Sequence, residues 1–114
     1  MNIEKIKVAY LEAAAFTDLG DTDQPPSHAE PSALDNARAY LECRNFLLAC
    51  ESLGLDLMPF DPAQIGHDVW LTRNGHGVGF WDRPEVYGAA NARIFTAFCK
   101  AMGPHDIDWN GGEE

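Results

Sequence analysis

The dipeptide Asn74-Gly75 constrains the fold of this chain most, because a tight turn there would pair the residues on its two sides as antiparallel strands. Asn-Gly favours a type I′ turn, in which both central residues take positive φ, and this makes it a strong signal for a hairpin. The sequence therefore predicts an antiparallel hairpin over residues 67–82. One face of that hairpin is apolar throughout and is expected to pack on helices. Its residues are Val69, Leu71, Val78 and Phe80.

The opposite face of the predicted hairpin carries indole rings and bare glycines. Its register places Trp70 over Gly79, so that the ring shields the glycine backbone. Side chains beside the turn project from a rigid scaffold, and exposed arginine and aromatic residues are typical of interface hot spots. The residues of the hairpin that we predict to bind a partner are Trp70, Arg73, Asn74, His76 and Trp81.

Helical periodicity predicts three helices around the hairpin, over residues 3–16, 33–53 and 83–102. The Ile- and Val-rich start of the first could instead be a strand, and Gly88 is expected to loosen the last. In the helix over 33–53 we expect one broad apolar face to point inward. That face consists of Leu34, Ala37, Tyr40, Leu41, Leu47 and Leu48.

Residues 105–110 alternate polar and apolar side chains and predict a short strand. The expected fold class is therefore α+β: a short antiparallel sheet, formed by the hairpin and this strand, packed on two or three helices. A chain of 114 residues fits one such domain, with residues 111–114 as a tail. No apolar run approaches the roughly 18 residues of a membrane span.

Residues 17–32 form a predicted loop that is rich in proline and acid. The chain has 18 acidic and 8 basic residues, which gives a net charge of -10. This charge argues against direct binding to a nucleic-acid backbone. It is compatible with solubility alone, with a basic partner, or with imitation of a polyanion. The candidate acidic patch consists of Asp18, Asp21, Asp23 and Glu30.

The sequence shows no catalytic or metal-binding constellation. Its three cysteines lack metal-type spacing and are predicted to be buried thiols in a reducing compartment. The hairpin register places His67 opposite Asp82, and a weak enzyme built on that pair is our third hypothesis for function. Such a contact at the open end of a hairpin is more often structural, so we expect no enzyme, no cofactor and no metal.

The run from Gly66 to Arg83, GHDVWLTRNGHGVGFWDR, resembles a motif of small proteins from bacteriophage and prophage genomes. Their hallmark is similar to GHDFWLTRNGHGAGFWDR, with Val69 here in place of phenylalanine and Val78 in place of alanine. We call this run the signature segment. The C-terminal end departs from the pattern, because fewer residues follow the predicted strand here. The resemblance implies a phage or prophage origin and a cytoplasmic setting in the host, but no known activity or site residues.

Two hypotheses for function rank above the enzyme. The first is a phage protein that binds a host protein and inhibits nucleic-acid-handling defence machinery, as anti-CRISPR and anti-restriction proteins do. Its acidic patch would occupy a basic channel built for phosphates. The second is a module that binds nucleic acid or a small ligand through Trp70, Arg73, His76 and Trp81. A homodimer through the tryptophan-bearing face is compatible with either hypothesis.

Overall fold

A computed structural model describes residues 2–20, 30–75 and 79–109 of the chain. Over these ranges the chain forms helices joined by turns and extended segments, and no β-strand is present. The predicted α+β fold is therefore wrong, and the described part is all-helical. The helices are α1 (Ile3–Leu19), α2 (Ala33–Ser52), α3 (Pro62–Arg73), α4 (Pro84–Tyr87) and α5 (Ala89–Met102), with a 3₁₀ turn over Phe80–Asp82 between α3 and α4.

The first helix confirms its prediction and extends it by one turn. Asn2 caps α1 by accepting a hydrogen bond from the Lys5 N–H at 3.2 Å. Gly20, with a φ of 79°, ends the helix. Thr17 and Asp18 therefore belong to α1, not to the loop predicted over 17–32. Most of the rest of that loop, residues 21–29, lies outside the described residues.

The second helix also lies where the sequence predicts it, but it turns a different face inward. Ser32 caps α2 by accepting a hydrogen bond from the Asp35 N–H at 3.1 Å. Leu47 is buried as predicted, but Leu34, Leu41 and Leu48 are exposed, so most of the predicted inward face lies toward solvent. The face of α2 that turns inward is narrow and partly polar. Its Asp35 carboxylate can be buried there because it is hydrogen-bonded to the buried His105. The buried residues of this face are Asp35, Ala39, Cys43, Phe46, Leu47 and Cys50.

The predicted hairpin is wrong, because its first strand is the helix α3. Asp61 caps α3 by accepting from the Ala63 N–H at 3.1 Å, and Pro62 occupies the first turn. Asn74-Gly75 ends this helix: the Asn74 N–H donates to the Trp70 carbonyl, and Gly75 has a φ of 73°. The positive φ that favours a hairpin turn thus terminates a helix equally well.

Close packing of α3 against α1 depends on Gly66. A Cβ atom at that position would overlap the Ile6 carbonyl oxygen and lie 2.9 Å from the Tyr10 nitrogen. A side chain of any size would therefore push the two helices apart. Gly66 is the point at which α3 can approach the α1 backbone most closely, and this approach buries Tyr10 and Trp70 between them.

The C-terminal third is a broken helix followed by an extended segment. Gly88, with a φ of 87°, separates α4 from α5, so the single helix predicted over 83–102 is interrupted there. The strand predicted over 105–110 is wrong over its described residues 105–109, which form no strand and include a turn at Trp109. His105 and Ile107 of this segment are buried against the helices.

Aromatic rings fill the core between α2, the 3₁₀ turn and α5. Phe80 lies 5.0 Å from Tyr87 and 5.1 Å from Phe95 between ring centroids, and Phe46 stacks on it at 5.5 Å. The cysteines are free and buried, which confirms that part of their prediction. None of the helices in the described ranges combines the length and hydropathy that crossing a membrane requires.

Candidate binding site around Trp81

Arg73 lies in the interior of the protein and not at the exposed tip predicted for it. Its guanidinium donates to the Glu42 carboxylate, to the Tyr10 hydroxyl at 3.1 Å and to the Gly103 carbonyl at 2.8 Å. A weaker contact reaches the Met102 carbonyl. Because its guanidinium is buried and already donates to these internal acceptors, Arg73 is not available to a partner.

The network continues from Tyr10 to the C-terminal segment. The Tyr10 hydroxyl is hydrogen-bonded to His105 Nδ1 at 2.6 Å, and His105 Nε2 is hydrogen-bonded to Asp35 at 2.9 Å. Because Arg73 donates to the Tyr10 oxygen, a neutral imidazole allows Tyr10 to donate to Nδ1 and the Nε2–H group to donate to Asp35. Burial lowers the pKa of His105 below its ordinary value of 6.5, although the hydrogen bond to Asp35 acts in the opposite direction.

The Tyr10–His105–Asp35 chain resembles a proton relay but is closed inside the fold. Tyr10 and His105 are both buried, and burial raises the pKa of the Tyr10 hydroxyl. Burial also acts to raise the pKa of Asp35, but hydrogen bonds from the Asp108 N–H, His105 and Ser32 hold it below its ordinary range. The chain therefore ties the segment after α5 to α1 and α2.

A second buried network is centred on Asp68, which lies within the hairpin predicted over residues 67–82. Asp68 is fully buried and accepts from Arg83 Nε at 2.9 Å, from the Tyr87 hydroxyl at 2.7 Å and from Gln64 Nε2 at 3.0 Å. Burial and the bond to Asp68 raise the pKa of Tyr87. These contacts hold α4 and the end of the signature segment against α3.

The His67–Asp82 pair does not form, because the hairpin register that would create it does not exist. His67 lies on α3 with Nε2 3.9 Å from a carboxylate oxygen of Glu12. Asp82 accepts a hydrogen bond from the Gly79 N–H at 3.2 Å. No group of three or more His, Cys, Asp or Glu side chains suited to a metal ion occurs in the described ranges.

Trp70 and Asn74, both predicted to bind a partner, make internal contacts instead. Trp70 is buried, and its indole N–H donates to Thr17 Oγ1 at 2.8 Å. The Asn74 side chain donates to the Trp70 carbonyl and accepts from the His105 N–H, both at 3.0 Å. The tryptophan-bearing sheet face that would be compatible with a homodimer is therefore not formed by the described residues. His76 lies outside the described residues.

Of the acidic patch, the structure describes Asp18 and Glu30. Asp18, on the last turn of α1, accepts a hydrogen bond from the Trp109 indole at 3.0 Å. Glu30 is exposed, and both Asp21 and Asp23 lie outside the described residues. The four carboxylates remain a prediction from sequence.

Among the described hairpin residues that we predicted to bind a partner, Trp81 is the exposed one, at 60% exposure. The 3₁₀ turn that carries it is firmly anchored. The Phe80 N–H donates to Thr72 Oγ1 at 3.0 Å, and a Cβ at Gly79 would overlap that same hydroxyl. Because Phe80 is inserted into the core next to it, the exposed ring is presented on a fixed backbone.

Trp81 borders an open cleft of about 510 Å³ between the end of α3, the 3₁₀ turn and α5. Arg93 and Lys100 line the cleft from α5, and their spacing of seven residues places them on one side of that helix. Neither has a carboxylate within 4 Å among the described residues. We call this surface the Trp81 cleft; Thr72, Asp82 and Thr96 also line it.

Sequence reasoning missed Arg93 and Lys100 as site residues. Their helical spacing predicts that they face water, and both are exposed. Their position beside Trp81 depends on how α5 packs against the 3₁₀ turn, which periodicity within one helix does not reveal. Comparisons of the chain with protein-family models, with curated proteins and with solved structures give no match.

Proposed function

We propose that this chain is a non-catalytic binding protein that contacts a host protein through the Trp81 cleft. The observation that carries the proposal is the exposed Trp81 ring, held on an anchored turn beside two cationic side chains that have no carboxylate within 4 Å among the described residues. The other tryptophan of the signature segment, Trp70, is buried. A large exposed indole is not needed for folding and is typical of an interface hot spot.

The chemistry of the cleft indicates what it would contact. An indole ring buries a large apolar area at little cost in conformational entropy, so it serves as an anchor in a partner's pocket or against an aliphatic segment. Arg93 and Lys100 would pair with carboxylates at the edge of that contact. The matching surface on the partner is therefore an apolar segment flanked by acidic residues.

The nature of the partner rests on the resemblance and on charge. A signature segment similar to that of phage and prophage proteins favours a host protein in the cytoplasm. The net charge of -10 favours a second contact to a basic surface, for which Asp18, Asp21, Asp23 and Glu30 are our candidates. A host protein with a basic surface matches both features. We therefore propose a basic channel in nucleic-acid-handling defence machinery, of the kind that anti-CRISPR and anti-restriction proteins block.

A pull-down with matched variants tests the proposal. The tagged chain is incubated with a bacterial lysate, alongside Trp81→Ala and Phe16→Ala. Phe16 is the matched control, because it is 62% exposed, is also aromatic and does not line the cleft. We expect the wild type and Phe16→Ala to retain the same protein and Trp81→Ala to lose it. Retention of nothing specific, or equal retention by all three, would overturn the proposal.

Charge-reversal variants in the same pull-down separate the cleft from the acidic patch. Arg93→Glu with Lys100→Glu should weaken retention if an acidic segment occupies the cleft, since both charges change sign. Reversal of Asp18, Asp21, Asp23 and Glu30 to lysine should weaken it only if a basic surface is also contacted. If the patch variant alone loses the partner, the patch binds it and the cleft does not.

A second candidate function is binding of single-stranded nucleic acid or a nucleotide. An exposed indole next to two cations favours it, because bases stack on aromatic rings while phosphates pair with Arg and Lys. The net charge of -10 opposes it, since the rest of the chain repels a phosphate backbone. Titration of the tryptophan fluorescence with a single-stranded oligonucleotide at low salt decides the matter. Quenching that disappears in Trp81→Phe would support this candidate over the first.

A further inference from the structure

The solvent face of α2 carries a second unpartnered surface, which the proposed function does not use. Leu34 is 79% exposed, and Leu41 and Leu48 are each 49% exposed. They lie seven residues apart, so they form a straight line of about 21 Å along the helix. Ala37 and Tyr40 extend this line into a continuous apolar surface, which we call the leucine stripe.

The spacing of the leucine stripe is symmetric about its centre, and from this we infer that α2 pairs antiparallel with α2 of a second copy of the chain. A two-fold axis through Leu41 brings each Leu41 against its own copy. The same axis brings Leu34 of one copy against Leu48 of the other at both ends. One patch is thus complementary to itself, which is what a two-fold dimer requires.

The surface next to the stripe fits this arrangement. A shallow groove along its N-terminal half is lined by Lys7, Asn36, Ala37, Tyr40 and Leu41. In the two-fold pair this half faces the C-terminal half of the other helix, where Leu48 lies. The small Ala37 side chain leaves a depression next to Leu34 into which Leu48 of the second copy can pack.

The charge of this face also favours a second copy. Two chains of net charge -10 repel each other, so a self-contact has to use a surface without excess acid. The exposed charged residues along the stripe are Arg44 and Glu51, and the partly buried Arg38 is paired with Glu42 at 3.3 Å. The stripe is therefore close to neutral in a strongly acidic protein.

The size of the stripe determines how stable the dimer can be. A stable interface buries roughly 800 Å² on each partner, and one helical stripe of this length provides less. The leucines nevertheless lose water on pairing, and this burial of apolar surface favours association. We therefore expect a dimer that dissociates in the micromolar range and not a permanent one.

Disulfide trapping tests the geometry of the pair. Leu41→Cys should oxidise readily to a covalent dimer, because the two-fold axis places the new thiols against each other. Leu34→Cys alone should not, since its two copies lie about 21 Å apart and a disulfide needs Cα atoms within about 7 Å. Mixing Leu34→Cys with Leu48→Cys should restore cross-linking. The native cysteines do not interfere, because burial raises the pKa of Cys43 and of Cys50 to about 12, and Cys99 is buried as well.

Sedimentation velocity over a range of concentrations tests the dimer itself. The wild type should shift from monomer to dimer between low micromolar and high micromolar chain. Leu41→Arg should weaken dimerisation by about tenfold or more, because it places two like charges on the axis. Leu53→Arg is the control, since Leu53 is 59% exposed and lies beyond the end of α2.

Several outcomes would overturn the dimer. A wild type that stays monomeric at the highest concentration contradicts it, and so does equal weakening by Leu41→Arg and Leu53→Arg. Self-cross-linking of Leu34→Cys as efficiently as Leu41→Cys would indicate a parallel pair or random collision. None of these measurements depends on the Trp81 cleft, so this inference and the proposed function can fail separately.

Discussion

The two tryptophans of the signature segment lie in opposite environments. Trp70 on α3 is buried between α1 and the C-terminal segment, with its indole N–H bonded to Thr17. Trp81 on the 3₁₀ turn is mostly exposed and borders an open cleft. The α3 part of the segment therefore holds the fold together, whereas the turn presents a ring to the surroundings. Substitutions in the two parts should affect different properties.

A large loss of stability is expected at Arg73. Arg73→Met leaves a helix-compatible side chain but removes the donors to Glu42, Tyr10 and the Gly103 carbonyl. Breaking a buried ion pair by removing one partner costs about 3–5 kcal/mol. Chemical denaturation of Arg73→Met and Arg93→Met measures it, because Arg93 is exposed and should cost little. Equal losses would show that Arg73 is not the internal anchor.

A smaller loss is expected at Gly66, where α1 and α3 are closest. Gly66→Ala places a methyl group against the Ile6 carbonyl and the Ala9 side chain. Overpacking of this kind costs about 1–3 kcal/mol, which outweighs the gain in helix propensity over glycine. His67→Ala, on the neighbouring half-exposed position, is the control in the same thermal melts. A more stable Gly66→Ala would contradict the close approach of the two helices.

The smallest effect is a pH dependence that originates in the buried network. His105 has a lowered pKa in the folded protein, so below its ordinary value of 6.5 the unfolded chain binds a proton that the folded chain does not. Stability from this group is therefore complete above pH 6.5 and is lost as the pH falls. The groups that face the imidazole are Tyr10, Asp35, Glu42, Arg38 and Arg73.

Unfolding free energies of the wild type and His105→Gln, measured from neutral to mildly acidic pH, isolate this contribution. The wild type should lose stability more steeply than the variant as the pH falls below 6.5. Parallel curves for the two proteins would show that His105 keeps the same proton affinity on folding. A steeper loss of stability in His105→Gln than in the wild type would show that folding does not lower the pKa of His105.

The sequence predicts the positions of the helices well but predicts poorly how they pack against one another. The start of α2 at Ala33 and the break at Gly88 are local signals, and the structure places them where periodicity and glycine predict. Asn74-Gly75 is also a local signal, but a positive φ is compatible with a hairpin turn and with a helix end. Deciding between them requires the contact of Gly66 with α1, which is remote in sequence.

The inward face of α2 shows the same limit for packing. Three exposed leucines predict burial when the helix is considered alone, because apolar residues are normally inside. The buried face carries Asp35, and Glu42 on the same helix points toward Arg73. The two carboxylates can lie there only because His105 pairs with Asp35 and Arg73 pairs with Glu42. Both partners come from distant parts of the chain. For the same reason the sequence did not reveal that Arg93 and Lys100 share a cleft with Trp81.

The division of the signature segment into a buried and a presented tryptophan is tested most directly by unfolding Trp70→Ala and Trp81→Ala side by side. The account predicts a loss of about 3–5 kcal/mol for Trp70→Ala, which opens a cavity beneath α1. It predicts a change within about 0.5 kcal/mol for Trp81→Ala, whose side chain is mostly in solvent. Similar losses in both variants would place the two rings in one environment and contradict the division.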